Sequence, residues 1–228
     1  MSPGPLVDPA DVPGWLSGLV AATAGLDASE LTRVRPPSGL PTRPAAVLML
    51  LGDGVDGPDV LLTRRADTLN SHPGQVAFPG GSADDGDDGP VATALRESEE
   101  EAGVLADGVR PIALLPELFV PVSGFLVTPV LAHWERPSPV RVVDPAETAA
   151  VARVPIAHLT DPANRFRVKH PSGFTGPAFA APGMLVWGFT AGLLAGLLRL
   201  AGWERPWNAA DVRDLDESLR AANAEVQA

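Results

Sequence analysis

Hydrophobic residues along this chain fall in short runs punctuated by glycine, proline and aspartate, and the runs alternate between strand-like and helix-like spacing. Pro13 to Ala22 reads as a short helix. Ala45 to Leu51 and Asp59 to Arg64 read as two strands joined by Gly-Asp-Gly-Val-Asp-Gly-Pro, a hairpin connection. Gln75 to Phe78 is a further strand-like run that ends at the paired glycines Gly80 and Gly81. A helix follows, with Asp88 as its cap, Pro90 in its first turn and Gly103 at its exit. Val91, Ala94, Leu95, Ser98 and Ala102 share one small, mostly apolar face of it. Ile112 to Leu115, Phe125 to Leu131 and Val151 to Val154 are further strands. Residues 171–198 carry no charge, but Pro171, Gly173, Gly176, Pro177, Pro182 and Gly183 break the first half. The helical remainder, about Val186 to Leu200, is too short to span a bilayer and fits a core helix. Asn208 is placed to cap a last amphipathic helix with Val212, Leu215, Leu219 and Val226 on one side. Strands interleaved with helices predict an α/β fold.

The helix at 89–102 is electrostatically poor by itself. Glu97, Glu99, Glu100 and Glu101 crowd the negative end of its macrodipole, at roughly 0.3–1 kcal/mol each. Glu97 and Glu101 form a like-charged i,i+4 pair that costs about 0.2–0.5 kcal/mol more. Arg96 offsets part of this through Glu100. The plain alternative is a solvated acidic face. A hard divalent cation such as Mg²⁺ or Mn²⁺ would reverse the sign of the whole arrangement, because it takes carboxylate oxygens as ligands. The glycines upstream favour that reading, since Gly80 and Gly81 let the backbone approach a ligand closely. Asp84, Asp85, Asp87 and Asp88 form an acidic loop between, of which Asp87 is the candidate support residue.

Composition narrows the partners. The chain has 228 residues, 45% of them hydrophobic, enough for a full core. It has no cysteine, which excludes disulfides and thiolate metal sites. A net charge of −11 argues against a general nucleic-acid or anionic-membrane binder, so an anionic substrate must meet a local cluster of arginines and metal. The first basic residue is Arg33, and the apolar stretch near Trp15 follows Asp8 and Asp11 rather than a basic leader. The expected location is therefore the cytoplasm.

The segment Arg96-Glu97-Ser98-Glu99-Glu100-Glu101-Ala102-Gly103-Val104 resembles the second half of the Nudix hydrolase signature, with Ser98 at an apolar position. The first half fits with one extra residue, which puts Gly81 and Asp87 at the Gly and Glu positions. That expansion is similar to the coenzyme A pyrophosphatase branch of the family. The branch's upstream motif is matched by Leu61-Leu62-Thr63-Arg64-Arg65-Ala66, by Gly74 and by Phe78-Pro79-Gly80-Gly81, with Asn70 where the branch has arginine. Ser123 to Val130 and Val186 to Ala191 also resemble segments of that branch.

This resemblance covers roughly residues 40 to 203 and implies an α/β/α sandwich with a mixed sheet between helices. It implies a Nudix domain at 41–203, an N-terminal extension at 1–40 that is helical in part, and a C-terminal amphipathic helix at 204–228. Those ends pack on the domain or form a homodimer contact. It implies hydrolysis of coenzyme A or an acyl derivative to 3′,5′-ADP and a 4′-phosphopantetheine piece, with Mg²⁺ or Mn²⁺. Alternatives are another nucleoside diphosphate derivative, such as ADP-ribose or a dinucleotide, and a non-catalytic nucleotide-binding regulator. The expected metal ligands are Glu97, Glu101, the Gly81 carbonyl and Glu100, the last also a candidate base. Arg96 is expected to orient Glu97. Glu147 resembles the family's later acidic residue and is the other candidate base. Arg65 and Arg64 are candidates for a substrate phosphate; strand neighbours face opposite ways, so one of the two is expected to face solvent, and the resemblance favours Arg65 as the contact. His72 and Gly80 complete the expected substrate contacts. His133, His158 and His170 show no metal-ligand spacing and are expected to be structural or exposed.

Overall fold

The computed structural model describes residues 2–32, 34–36, 39, 41–69 and 72–226; Arg33 and Asn70, both singled out above, lie outside them. Strand β1 (Gly4–Pro5) and helix α1 (Gly14–Ala22) come first, then the hairpin of β2 (Arg43–Gly54) and β3 (Gly57–Arg65). Two short strands, β4 (Val76–Ala77) and β5 (Gly80–Ser82), lead into α2 (Gly89–Ala102). Next come β6 (Val109–Leu114), β7 (Leu118–Val120), β8 (Phe125–Trp134), β9 (Thr148–Pro155) and α3 (Ile156–Thr160). Last are β10 (Arg165–Lys169), β11 (Thr175–Ala181), β12 (Met184–Val186), α4 (Gly188–Leu200), β13 (Val212–Asp214) and α5 (Leu215–Val226).

The main sheet is mixed. Its order is β1-β6-β8-β2-β3-β4, with β5 added on β2, β7 on β8 and β9 on β3. Strands β2 and β8 lie parallel from Arg43 opposite Phe125 to Gly52 opposite Trp134. Such a central pair is covered on both faces, which is why β2 reads as an almost continuous apolar run. Its side chains nevertheless alternate. Ala46, Leu48 and Leu50 pack with Ala94 and Ala102 of α2. Met49 and Leu51 pack on the other side with Leu16 and Leu19 of α1 and with Leu193, Leu194 and Leu197 of α4. Helices thus cover both faces, giving the α/β/α sandwich.

The N-terminal segment shares that core. Leu16, Leu19 and Val20 are fully buried, and β1 pairs with β6. Trp15 lies 5.7 Å from Trp203, ring centre to ring centre, and Arg199 donates to the Glu30 carbonyl. At the other end, a small sheet of order β12-β11-β10-β13 packs Phe166, Val168 and Leu185 against Leu215, Leu219 and Ala222 of α5.

Five local expectations are corrected. The first half of the uncharged stretch is not irregular: 175–181 and 184–186 form an antiparallel hairpin closed by Pro182-Gly183, with Gly183 at φ 64°. Val186 belongs to that hairpin, and α4 starts at Gly188. Val212 is not on the last helix; it pairs in parallel with Arg167 in β10 and is exposed. Asn208 accepts from the Ala210 N–H, and α5 is capped instead by Asp214, which accepts from the Glu217 N–H at 3.0 Å. At α2, Asp88 occupies the capping position but makes no side-chain cap bond, whereas Gly103 closes the helix in the left-handed region at φ 70° as expected.

Candidate active site

The site is built where β5 meets α2. Strand β5 runs antiparallel to β2, with Gly80 opposite Val47 and Gly81 opposite Ala46. A side chain at Gly80 would strike the Ala46 carbonyl and the Val47 backbone; one at Gly81 would strike the Glu97 carboxylate. The two glycines therefore let α2 lie directly on the strand and bring a glutamate onto bare backbone.

Arg96 is the hub of the helix's first half. It grips Asp87 through Nε at 3.1 Å and Nη2 at 2.9 Å. It also donates to the Ser82 carbonyl at 3.0 Å, to Glu97 at 3.0 Å and to Glu100 at 3.1 Å. Asp87 in turn accepts from the Thr93 hydroxyl at 2.9 Å and from the Asp84 N–H at 3.0 Å. The guanidinium beside it holds the Asp87 carboxyl well below the usual carboxylate range, and Asp87 likewise raises Arg96. The expected support residue is thus the arginine's main anchor.

The carboxylates sort into two kinds. Glu97 and Glu101 are partly buried and lie near each other, while the Glu100 side chain is 58% exposed and turned onto Arg96. Burial pushes Glu97 up, and the charges of Glu100 and Asp84 add to it against Arg96. Burial, and then the charge of Glu97, push Glu101 up to about 7, against the opposing effects of Arg65, the Thr63 hydroxyl and the Gly80 N–H.

Strand β3 supplies the facing wall. Leu61, Thr63 and Arg65 alternate onto the α2 side, where Leu61 packs with Ala94 and Thr63 lies 3.3 Å from Glu101 Oε2. Arg65 sits close enough to Glu101 to lower its pKa, and its Nε is buried with no hydrogen-bond partner among the described residues. The pairing of β3 with β9 slips at Arg64/Arg65, a bulge of the kind that re-aims side chains near sites. Arg64 points away, held by Asp67 at 2.7 Å and reaching Asn223 of α5 at 3.3 Å. His72 lies in the loop before β4, at φ 55°. Glu147 ends an exposed turn whose carbonyl accepts from the Ala66 N–H at 2.8 Å, beside the Arg65 end of β3. The other histidines are apart from this wall: His158 is bonded to Ala180 and Asn164, His170 stacks on Trp187, and His133 is buried edge-on to Trp15.

Among the described residues no three His, Cys, Asp or Glu side chains converge to hold a metal. The donor set that fits a divalent cation is smaller: Glu97, Glu101 and the adjoining Gly81 backbone. Two half-buried carboxylates with raised pKa values are the arrangement a hard cation would neutralise. Thr63 and Thr93 carry contacts that the sequence reading gave no role; strand alternation would have placed Thr63 on the Arg65 face.

Comparison with known proteins adds three findings. The NUDIX domain family matches residues 41–171, more than half of the 228. The uncharacterized Nudix hydrolase NudL of Cronobacter sakazakii is 43% identical over 120 residues, covering 53% of this chain and 61% of that one. NudL of Escherichia coli K12 is 43% identical over 100 residues, 44% of this chain and 51% of that one. The chain therefore spans about half to three fifths of the length of these curated relatives. The solved Nudix hydrolase RenU of M. smegmatis covers 73% of this chain and 89% of its own at 19% identity, with a TM-score of 0.48.

Proposed function

We propose a function from one premise: this chain belongs to the Nudix family, whose domain spans residues 41–171. On that premise it is a divalent-metal-dependent hydrolase of a nucleoside diphosphate derivative, and coenzyme A or an acyl-coenzyme A is the substrate it splits, into 3′,5′-ADP and a 4′-phosphopantetheine piece. The observation that carries the reading is the Glu97–Glu101 pair on bare Gly81, with Glu101 pushed up to about 7.

Glu97, Glu101 and the Gly81 carbonyl would hold Mg²⁺ or Mn²⁺. Such an ion, when bound, neutralises phosphate oxygens and lowers the pKa of water. The residues of the chain do the rest. Arg96, locked by Asp87, keeps Glu97 aimed at Gly81. Arg65 is half-buried, its Nε without a hydrogen-bond partner among the described residues, and its planar guanidinium is of the kind suited to bidentate contact with a phosphate. Glu147, exposed beside the Arg65 end of β3, is the assigned base for the attacking water, ahead of Glu100, which Arg96 occupies. Gly80 and His72 complete the proposed substrate contacts. The coenzyme A assignment rests on the Leu61–Ala66 and Phe78–Gly81 motifs and on the position of Arg65 across from Glu101. No helix among the described residues is long and apolar enough to cross a membrane, and the substrate is a small molecule.

A product-mass assay of coenzyme A, ADP-ribose, NADH and nucleoside triphosphates tests the reading. Cleavage of coenzyme A with Mg²⁺ or Mn²⁺, abolished by excess chelator and lowered by orders of magnitude in Glu101→Gln, is the expected result. Preference for ADP-ribose or NADH would overturn the substrate, and full activity in chelator would overturn the metal. Asn70→Arg is expected to improve coenzyme A turnover.

A further inference from the structure

We infer that Thr63 is a positioning residue for Glu101: its hydroxyl fixes one carboxylate oxygen so that the other is left for the cation. This rests on the metal-dependent reading of the site. Thr63 sits toward the end of β3, paired with Ala77 of β4 on one side and Val151 of β9 on the other. It is 2% exposed, so its hydroxyl meets protein rather than water. Its Oγ1 lies 3.3 Å from Glu101 Oε2 and 3.5 Å from the Ala77 carbonyl. A hydroxyl has one proton to give. The carboxylate is the nearer and, once ionised, the stronger acceptor.

The choice of residue supports the assignment. The neighbours Leu61 and Leu62 are fully buried, and valine would serve the strand equally well. A buried hydroxyl is costly when unanswered, so it belongs here only with a partner. Both flanking strands hold the Thr63 backbone, and a β-branched side chain is stiff at χ1. The donor is therefore rigid, where a longer side chain would let Glu101 swing. Groups behind a metal ligand that set its orientation act in this way.

The experiment titrates Mn²⁺ into the full-length protein and reads free Mn²⁺ by electron paramagnetic resonance, with no substrate present. Thr63→Val keeps shape and removes the hydroxyl, and is expected to weaken Mn²⁺ binding by about tenfold or more. Thr63→Ser keeps the hydroxyl and is expected to stay within about threefold of wild type. Thr63→Ala must weaken binding as Thr63→Val does, which covers a folding failure of one variant. Wild-type binding in Thr63→Val, or equal weakening in Thr63→Ser, would overturn the proposal. Glu101→Gln separates the two readings. If it loses the ion while Thr63→Val keeps it, only the role of Thr63 falls; if wild type binds no Mn²⁺, the metal site and this inference fall together.

Discussion

At the scale of single residues, the proposed chemistry rests on two glutamates and a glycine. Gly81 has a Glu97 carboxylate where a side chain would be. Gly81→Ala should displace Glu97 rather than unfold the strand, so we expect a loss of at least about a hundredfold in kcat with a nearly normal melt, because catalytic geometry tolerates little displacement. A near-wild-type rate would remove the Gly81–Glu97 contact from the mechanism. Glu101 gives a second test through pH. Its folded-state pKa is about 7 against an ordinary 4.5. Between those values the folded, metal-free protein holds a proton that the unfolded chain has released. That contribution to stability is whole below the unfolded value and is lost as pH rises through the folded one. Glu101→Gln cannot ionise, so it should raise the metal-free Tm by about 2–5 °C near pH 8 and change it little near pH 5. Equal Tm values near pH 8 would show that Glu101 is not strained by its surroundings. These candidates were legible in sequence because their chemistry is local, four acids within five positions and two glycines ahead of them, while the choice of Glu97, Glu101 and Arg65 among their neighbours came from the family motif. Thr63 was not, because an isolated threonine in a strand has no role until the fold shows what it faces.

At the scale of elements, the loop before α2 matters more than the cap. Asp88 stands at the capping position yet makes no cap bond, while Asp87 ties Arg96, Thr93 and the loop backbone at Asp84 together. One carboxylate with four donors is a better anchor than one exposed at the helix end. Asp87→Ala should therefore free Arg96 and let Glu97 drift. We expect kcat to fall by about 10–100-fold, as for other groups that orient a metal ligand, and Mn²⁺ to be bound more weakly. Unchanged Mn²⁺ affinity would mean that Arg96 is held well enough by Ser82 and the glutamates. The β2–β3 hairpin and α2 were readable because periodicity, turn residues and caps agree there. The hairpin of β11 and β12 was not. Its Gly and Pro residues read as breakers of one apolar run, yet Pro182-Gly183 turns the chain between two strands. Short apolar runs do not by themselves distinguish a strand from a piece of buried helix. Val212 misled for a similar reason: its spacing to Leu215 fits a helix, but β10 offers a free strand edge and the chain pairs with it.

At the scale of the whole molecule, the ends are part of the sandwich. The match to the NUDIX domain family begins at residue 41, which would suggest that the first forty residues are an accessory. The packing argues otherwise. Leu16, Leu19 and Val20 are fully buried in the same cluster as Met49 and Leu51 of the central strand. At about 1.5–3 kcal/mol for each side chain, those three contribute roughly 5–9 kcal/mol, against a total of about 5–15 kcal/mol for a typical domain. Trp15 also covers Trp203 and His133. A chain lacking residues 1–32 would present that apolar face of the sheet to water while leaving Glu97, Glu101 and Gly81 untouched in sequence. The expected outcome is aggregation, or a melt lowered by more than about 10 °C, with activity lost through unfolding rather than through the site. Circular dichroism melts and gel filtration of the shortened and full-length chains check this. A cooperative melt at the same Tm would make α1 dispensable to the fold.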